Sequence, residues 1–182
     1  MRGYVVWLTG LSAAGKSTIA RNVAAELERR GALVEMLDGD IVRTQLSKGL
    51  GFSKDDRDTN IERIGWVASR LVRAGAVVVV SAISPYREAR RKARALVEEH
   101  GAFVEVYVAT SLAECERRDP KGLYAKARSG EIAEFTGVSD PYEPPEGAEL
   151  EIHTEGRTKE ESADLVIAKL EELGLVGAEV VA

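Results

Sequence analysis

The chain has 182 residues, of which 45% are hydrophobic and 30% are charged, and its formal net charge is -5. This length suits one domain around one core, and the acidic balance disfavours a nucleic-acid-binding surface. A single cysteine, Cys115, excludes an intramolecular disulfide, and His100 and His153 are too far from it in sequence to suggest a metal cluster. No apolar run approaches the roughly 18 residues of a membrane helix, so we expect a cytoplasmic protein without a membrane partner.

Short β-branched runs alternate along the chain with longer amphipathic segments. The predicted strands cover residues 4–9, 33–37, 77–82, 103–109 and 150–153. The predicted helices cover residues 17–30, 60–74, 85–100, 111–118 and 159–173, and several are followed by a glycine that would end the helix. The middle strands are apolar on both faces, as buried parallel strands are. This pattern predicts an α/β fold, a mostly parallel five-stranded sheet between two layers of helices.

One segment, residues 119–145, does not fit the alternation. It is rich in glycine, proline and charged residues, and it is too long for a simple connection. We therefore predict that it is a lid over a binding site, within a single domain that spans residues 1–182.

The sequence GLSAAGKS at residues 10–17 has the spacing G-x-x-x-x-G-K-[ST] between a predicted strand and a predicted helix. Such a P-loop directs backbone N–H groups at phosphate oxygens, Lys16 reaches the outer phosphates, and the Ser17 hydroxyl ligates Mg²⁺. The alternative is a chance glycine-rich turn with an N-capping serine. The predicted nucleotide-binding residues are Gly10, Leu11, Ser12, Ala13, Ala14, Gly15, Lys16, Ser17 and Thr18. We expect Ala13 and Ala14 to adopt negative φ, so that the backbone can still wrap a phosphate.

A P-loop by itself does not separate a kinase from a GTPase or a motor ATPase. The chain has no N-K-x-D guanine signature, and its one D-x-x-G, at residues 119–122, follows a charged run rather than a strand. The strand VVVVSAIS also lacks the terminal aspartate of a Walker B site. The carboxylate needed beside the phosphates must then come from Asp38 or Asp40, which follow the second strand at the edge where α/β proteins bind ligands. Asp40 is the candidate catalytic base; the alternative is that it only caps the helix IVRTQL.

Several further motifs follow the P-loop, and in chain order the set reads GLSAAGKST, LDGD followed by Arg43, GLGFSKDDRDTNIERIG, VVVVSAISPYREAR, DPKGLYAKARSGEI and FTGVSDPYEPP. These motifs resemble those of the adenylylsulfate kinase family and lie in the order that the family shows. The resemblance implies that ATP phosphorylates the 3′-hydroxyl of adenylyl sulfate, with Mg²⁺, in the activation of sulfate. It also implies a homodimer, since the family is often dimeric. In the family D-G-D is usually followed by asparagine, whereas this chain has Ile41. Another small-molecule P-loop kinase and a nucleotide-dependent regulatory module remain as alternatives.

The resemblance also assigns roles to residues that the pattern alone does not mark. The implied substrate-binding residues are Asp38, Arg43, Phe52, Arg57, Asn60, Ile83, Ser84, Lys121, Leu123 and Phe135. Without it, Phe52 would be a core residue, Arg57 part of a solvated charged run, and Asn60 a helix cap. Ser84 is the residue that the family associates with a proposed phosphoserine, and with Lys16 and Asp40 it completes the candidate catalytic set. Its alternative role is the N-cap of a helix that starts at Pro85. Arg117 is a candidate contact of the ATP phosphates, or else faces solvent with Arg118.

Overall fold

A computed structural model describes residues 3–177, and a parallel five-stranded sheet lies at its centre. The strands are β1 (Tyr4–Thr9), β2 (Val34–Asp38), β3 (Val77–Ser81), β4 (Ala102–Val108) and β5 (Leu150–Ile152). Their order in the sheet is β2-β3-β1-β4-β5. Every residue of β1 and of β3 is buried, because both strands lie inside the sheet and are covered on both faces.

The helices connect the strands and cover the two faces of the sheet. They are α1 (Lys16–Arg29), α2 (Gly39–Gln45), α3 (Lys54–Arg73), α4 (Arg87–Glu98), α5 (Leu112–Arg118), α6 (Leu123–Arg128) and α7 (Lys159–Glu172). One core cluster packs α1 and α7 against one face, and the other packs α3 and α4 against the opposite face. Helices α3 and α4 approach closely at Gly65, where an added Cβ would lie 2.8 Å from the Cβ of Ala93.

The strand register brings the ends of three strands together. Ser81, the last residue of β3, is paired with Leu8 of β1 on one side and with Asp38 of β2 on the other. The chain turns at Gly10 just beyond β1, so the glycine-rich loop, the end of β3 and the start of α2 are neighbours. This edge is where open α/β sheets bind ligands.

The predicted α/β sheet is confirmed, and the helix boundaries differ from the prediction in informative places. Helix α3 begins at Lys54 rather than at residue 60, because the Ser53 side chain accepts a hydrogen bond from the Asp56 N–H and caps the charged run. Helix α6 was not predicted, because it lies within the segment that the sequence marked as a lid. Helix α4 begins at Arg87 with Tyr86 at its N-cap, so the prediction of Ser84 as the N-cap is wrong.

Candidate active site at the carboxyl edge of the sheet

The P-loop closes tightly in front of α1. Gly10 and Gly15 have φ of 149° and 107°, and a Cβ at Gly10 would lie 2.5 Å from the carbonyl oxygen of Val108. Ala13 has φ of 60°, so the expectation of a negative φ there is wrong, whereas Ala14 follows it. Ala14 N–H donates to Leu11 O, and with Ser12 at negative φ and Ala13 at positive φ this is a type II turn, whose third residue has positive φ.

Lys16 and Ser17 form the first turn of α1 and have different surroundings. Lys16 is 8% exposed, its ammonium donates to Leu11 O at 2.7 Å, and burial lowers its pKa to about 8. Asp38 and Asp40 oppose this shift through their negative charges. The Ser17 hydroxyl lies 3.0 Å from that of Ser81. Ser81 stands where a Walker B aspartate would end the strand, and the sequence analysis did not select it because serine there carries no recognisable signal.

The two aspartates after β2 are used differently. Asp38 is the N-cap of α2, and its carboxylate accepts a hydrogen bond from the Asp40 N–H at 3.1 Å. The interpretation in which Asp40 caps this helix is therefore wrong. The Asp40 side chain is 77% exposed and forms an ion pair with Lys121. Asp40 is thus available for chemistry, whereas Asp38 holds the turn.

The aromatic ring of Phe52 lies near two guanidinium groups. It is 52% exposed, which excludes a core role, and its ring centroid lies 4.4 Å from Cζ of Arg43 and 5.5 Å from Cζ of Arg57. Burial, with the nearby charge of Arg57, lowers the pKa of Arg43. Arg57 is itself buried and donates to Phe52 O at 2.7 Å and to Glu134 O, so it is not part of a solvated run.

Asn60 lies inside α3, one turn after Arg57. It is buried, and its Oδ1 has no hydrogen-bond partner among residues 3–177. The cap interpretation is wrong because α3 begins before it. A buried amide oxygen without a partner is costly, so a ligand donor is the natural partner for it.

The loop of residues 82–86, the substrate loop, runs beside the P-loop. Ile83 O accepts hydrogen bonds from the Thr9 hydroxyl at 2.7 Å and from Gly10 N–H at 3.5 Å. Ser84 is buried with φ of 42°, and its hydroxyl accepts from Trp7 Nε1 at 3.1 Å and donates to the Thr9 hydroxyl at 3.0 Å. The Ser84 hydroxyl therefore faces the sheet and not the end of α4.

The segment of residues 119–145, the lid segment, lies over the P-loop. It contains α6, which begins at Leu123, and the next residue, Tyr124, donates from its hydroxyl to Ser12 O at 2.9 Å. Phe135 packs edge-on against Tyr124 with ring centroids 5.0 Å apart. A cavity of about 480 Å³ lies between Leu11 of the P-loop and part of this segment; it is lined by Leu11, Gly137, Val138, Ser139, Asp140, Pro141 and Tyr142.

Arg117 is not brought to this site. Its side chain is 73% exposed and pairs with Glu114 at 2.7 Å. Arg118, on the next position of α5, is the one that reaches the P-loop, with Nη1 3.5 Å from Ala14 O.

Comparison with known proteins identifies the family. The sequence matches the family described as Adenylylsulphate kinase over residues 2–153. The chain belongs to this family. An adenylyl-sulfate kinase from Rippkaea orientalis is 57% identical over 173 residues, which cover 95% of this chain and 94% of the relative. The family resemblance found in the sequence motifs is confirmed, and so is the prediction that the enzyme is an adenylyl-sulfate kinase.

Solved structures agree with this family assignment. An APS kinase from Mycobacterium tuberculosis in complex with AMPPNP and APS has a TM-score of 0.90 and 47% identity, and the match covers 93% of this chain and 98% of that one. A hexameric APS kinase from Thiobacillus denitrificans has a TM-score of 0.76 and 39% identity, covering 98% of this chain and 30% of that one. The predicted P-loop kinase fold is therefore confirmed.

The donor set fits a magnesium ion that accompanies a nucleotide and does not fit a metal held by protein alone. Among the described residues there is no group of three or more His, Cys, Asp or Glu side chains placed to hold a metal. Mg²⁺ commonly takes one or two protein oxygens together with phosphate oxygens and waters, and the Ser17 hydroxyl, beside that of Ser81, is such an oxygen.

No helix within residues 3–177 is long and apolar enough to cross a membrane.

Proposed function

We propose that this adenylyl-sulfate kinase transfers the γ-phosphoryl group of ATP to the 3′-hydroxyl of adenylyl sulfate, with Asp40 as the base. The observation that carries the proposal is that Lys16 and Asp40 lie at the same carboxyl edge of the sheet, near enough for the Asp40 charge to act on the Lys16 ammonium. Lys16 begins α1 behind the P-loop, and Asp40, relieved of capping by Asp38, lies near it on the neighbouring side. A cation for the transferred group and a carboxylate for the acceptor hydroxyl are the parts that phosphoryl transfer requires.

The donor half of the reaction is held by the P-loop. Its backbone N–H groups, at the start of α1, surround the phosphates of ATP, and Lys16 bonds the outer ones, giving up its bond to Leu11 O. Ser17 would hold Mg²⁺, which when bound with ATP neutralises part of the phosphate charge and orients the phosphoryl group. Arg118, closer to the loop than Arg117, adds a positive charge on the same side.

The acceptor half is bound by the residues around Phe52. The adenine ring stacks on Phe52, while Arg43 and Arg57 pair with the phosphosulfate group. Asn60 offers its unpaired amide oxygen to a donor on the substrate. Ile83, Leu123 and Phe135 enclose the substrate from the substrate loop and the lid segment, and the ion pair of Lys121 with Asp40 is exchanged for substrate contacts.

The transfer is direct and in line, without a phosphoserine. The Ser84 hydroxyl is buried and already bonded to Trp7 and Thr9, so phosphorylating it would require both bonds to break. Ser84 therefore shapes the substrate loop rather than acting as a nucleophile. A kinetically competent phosphoenzyme in rapid-quench experiments, absent from Ser84→Ala, would overturn this assignment.

One assay tests the proposed function against its alternatives. ADP release from ATP is followed with adenylyl sulfate, with other nucleotides and with sugar acids as acceptors, and the product is identified by mass spectrometry. We expect release with adenylyl sulfate and a product heavier by one phosphoryl group, both lost in Lys16→Ala. Release with another acceptor alone would indicate a different kinase, and ATP binding without any transfer would indicate a regulatory module.

We also propose that the protein acts in the cytoplasm and that it is a homodimer. A reaction that consumes ATP suits the cytoplasm, and the buried free thiol of Cys115 suits a reducing compartment. A solved family member is hexameric, so oligomers occur in the family. Light scattering at several protein concentrations distinguishes a dimer from a monomer or a hexamer.

A further inference from the structure

A buried arginine on α4 connects the substrate loop and the lid segment to the sheet. Arg90 is 3% exposed, and each arm of its guanidinium group has a different partner. Nε donates to the Glu105 carboxylate at 2.8 Å, Nη1 to Ser84 O at 2.6 Å, and Nη2 to Glu143 O at 2.7 Å. Glu105 belongs to β4, Ser84 to the substrate loop, and Glu143 to the end of the lid segment.

The same two segments are joined by further bonds around this arginine. Glu143 N–H donates to Pro85 O at 2.8 Å, and the Glu143 carboxylate accepts from Arg87 N–H at 2.8 Å. The Tyr142 hydroxyl lies 2.9 Å from the Thr9 hydroxyl, and its ring is 5.8 Å from Cζ of Arg90. Thr9 directly precedes the P-loop, so the hydrogen bonds around Arg90 join the end of β1, the substrate loop and the lid segment.

The backbone at Ser84 requires such support. A non-glycine residue with φ of 42° is strained and persists only where its surroundings hold it. The hydroxyl bonds of Ser84 hold its side chain, and Arg90 holds its carbonyl oxygen. Arg90 thereby holds the backbone between Ile83 and the start of α4.

We propose that Arg90, held by Glu105, is a positioning residue that fixes the substrate loop and the end of the lid segment in the geometry that binds the acceptor. Arg90 touches neither substrate, and it acts through Ser84 and Glu143. A charged pair buried at this depth is weak evidence for stability by itself, because desolvation offsets much of its attraction. Its three separately directed hydrogen bonds give it a geometric role that one ammonium group cannot fill.

The chain contains a matched control for this proposal. Arg94 lies one turn further along α4 and pairs with Glu149 at 2.9 Å and with Glu105 at 3.6 Å. Its other contacts are with Glu98 and Phe103, so none of its described bonds reaches the substrate loop or the lid segment. Arg94→Lys therefore disturbs the same buried charges without disturbing the acceptor geometry.

The test compares Arg90→Lys with Arg94→Lys in the full chain, and it rests on the proposed function for its kinetic part. Arg90→Lys keeps the charge beside Glu105 and loses directed bonds to Ser84 O and Glu143 O. We expect KM for adenylyl sulfate to rise about 10-fold with KM for ATP nearly unchanged, since a bond to a charged group is commonly of that size. Arg94→Lys should change neither value. Equal KM increases in both variants, or no increase in Arg90→Lys, would overturn the proposal.

Hydrogen exchange gives a readout that does not depend on the substrate. We expect amides of residues 82–86 and 140–144 to exchange faster in Arg90→Lys and not in Arg94→Lys.

A second variant serves if Arg90→Lys does not fold. Tyr142→Phe removes the bond to Thr9 and leaves the ring stacked on Tyr107. It should raise KM for adenylyl sulfate and leave KM for ATP nearly unchanged. Unchanged exchange in Arg90→Lys, or unchanged KM in Tyr142→Phe, contradicts the proposal. If the wild-type enzyme is inactive on adenylyl sulfate, the proposed function is wrong. The hydrogen-exchange result then tests the role of Arg90 by itself.

Discussion

The donor side and the acceptor side of the site are built in different ways. The donor side comes from one continuous stretch, in which Gly10, Gly15 and Lys16 lie within a single loop and the lysine is almost fully buried. The proposed acceptor side draws on groups from α2, from α3 and its preceding loop, from the substrate loop and from the lid segment, and Phe52 is exposed. A contiguous motif holds its geometry through local backbone structure, whereas the acceptor side depends on long-range contacts. Substitutions on the donor side should therefore affect transfer itself, and those on the acceptor side should affect substrate affinity.

Lys16→Ala should cause the largest loss. Turnover should fall by about 10²-fold or more, equivalent to about 3 kcal/mol, because the transferred group loses its preorganised cation. The fold should survive, since the substitution removes a buried charge rather than a core contact. Turnover at saturating ATP and the thermal midpoint are the measurements, with the exposed Lys159→Ala as control. Near-normal turnover in Lys16→Ala would refute the donor-site assignment.

Asp40→Asn tests the one catalytic group on the acceptor side. The shape is kept and the charge is removed, so kcat should fall about 10²-fold or more while KM for adenylyl sulfate changes little. The control is Asp38→Asn, which keeps the cap of α2 because asparagine caps as well as aspartate. If Asp38→Asn abolishes turnover and Asp40→Asn does not, the two roles are reversed. If raised Mg²⁺ restores the rate of Asp40→Asn, the carboxylate acts on the metal side instead.

Phe52→Ala should change affinity more than turnover. Loss of a stacking ring commonly costs about 1–3 kcal/mol per base, so KM for adenylyl sulfate should rise about 10-fold. The thermal midpoint should stay close to that of the wild type, because half of this side chain is already in solvent. Trp66→Ala, which removes another exposed ring from α3 outside the site, should leave KM unchanged. A KM for adenylyl sulfate unaffected by Phe52→Ala would exclude Phe52 as the stacking surface.

Proton uptake on ATP binding should be the smallest effect. Burial lowers the pKa of Lys16 from 10.5 to about 8, so part of the free enzyme carries a neutral Lys16 at pH 8.5. Phosphate favours the ammonium form, and ATP binding should take up a fraction of a proton at pH 8.5 and almost none at pH 6.5. Calorimetry in buffers of different ionisation enthalpy measures this uptake, which Lys16→Ala should abolish. An equal uptake in that variant would assign it to another group.

The same shift affects stability in a defined direction. Between pH 8 and 10.5 the unfolded chain binds a proton at Lys16 that the folded chain has largely lost. The free energy of unfolding of the ATP-free enzyme should therefore rise with pH across this window, relative to Lys16→Ala.

Much of the fold could be predicted from the sequence, because it follows from patterns among neighbouring residues. The alternation of apolar runs and amphipathic segments gave the five parallel strands, because strand and helix periodicities are local. The P-loop spacing indicated the candidate nucleotide site, and the motifs identified the family. Only the family resemblance marked Phe52, Arg57 and Asn60 as site residues. The sequence pattern alone predicted a core residue, a solvated charge and a helix cap at these positions.

Tertiary structure alone decided the features that depend on distant partners. Ser81 reached the P-loop through strand register, and Ser84 turned towards Trp7 instead of capping α4. Arg90 had no sequence signal at all, because its role is set by three partners on β4, the substrate loop and the lid segment. Secondary-structure propensity is a property of each segment alone, whereas hydrogen bonds between distant segments determine which side chains meet.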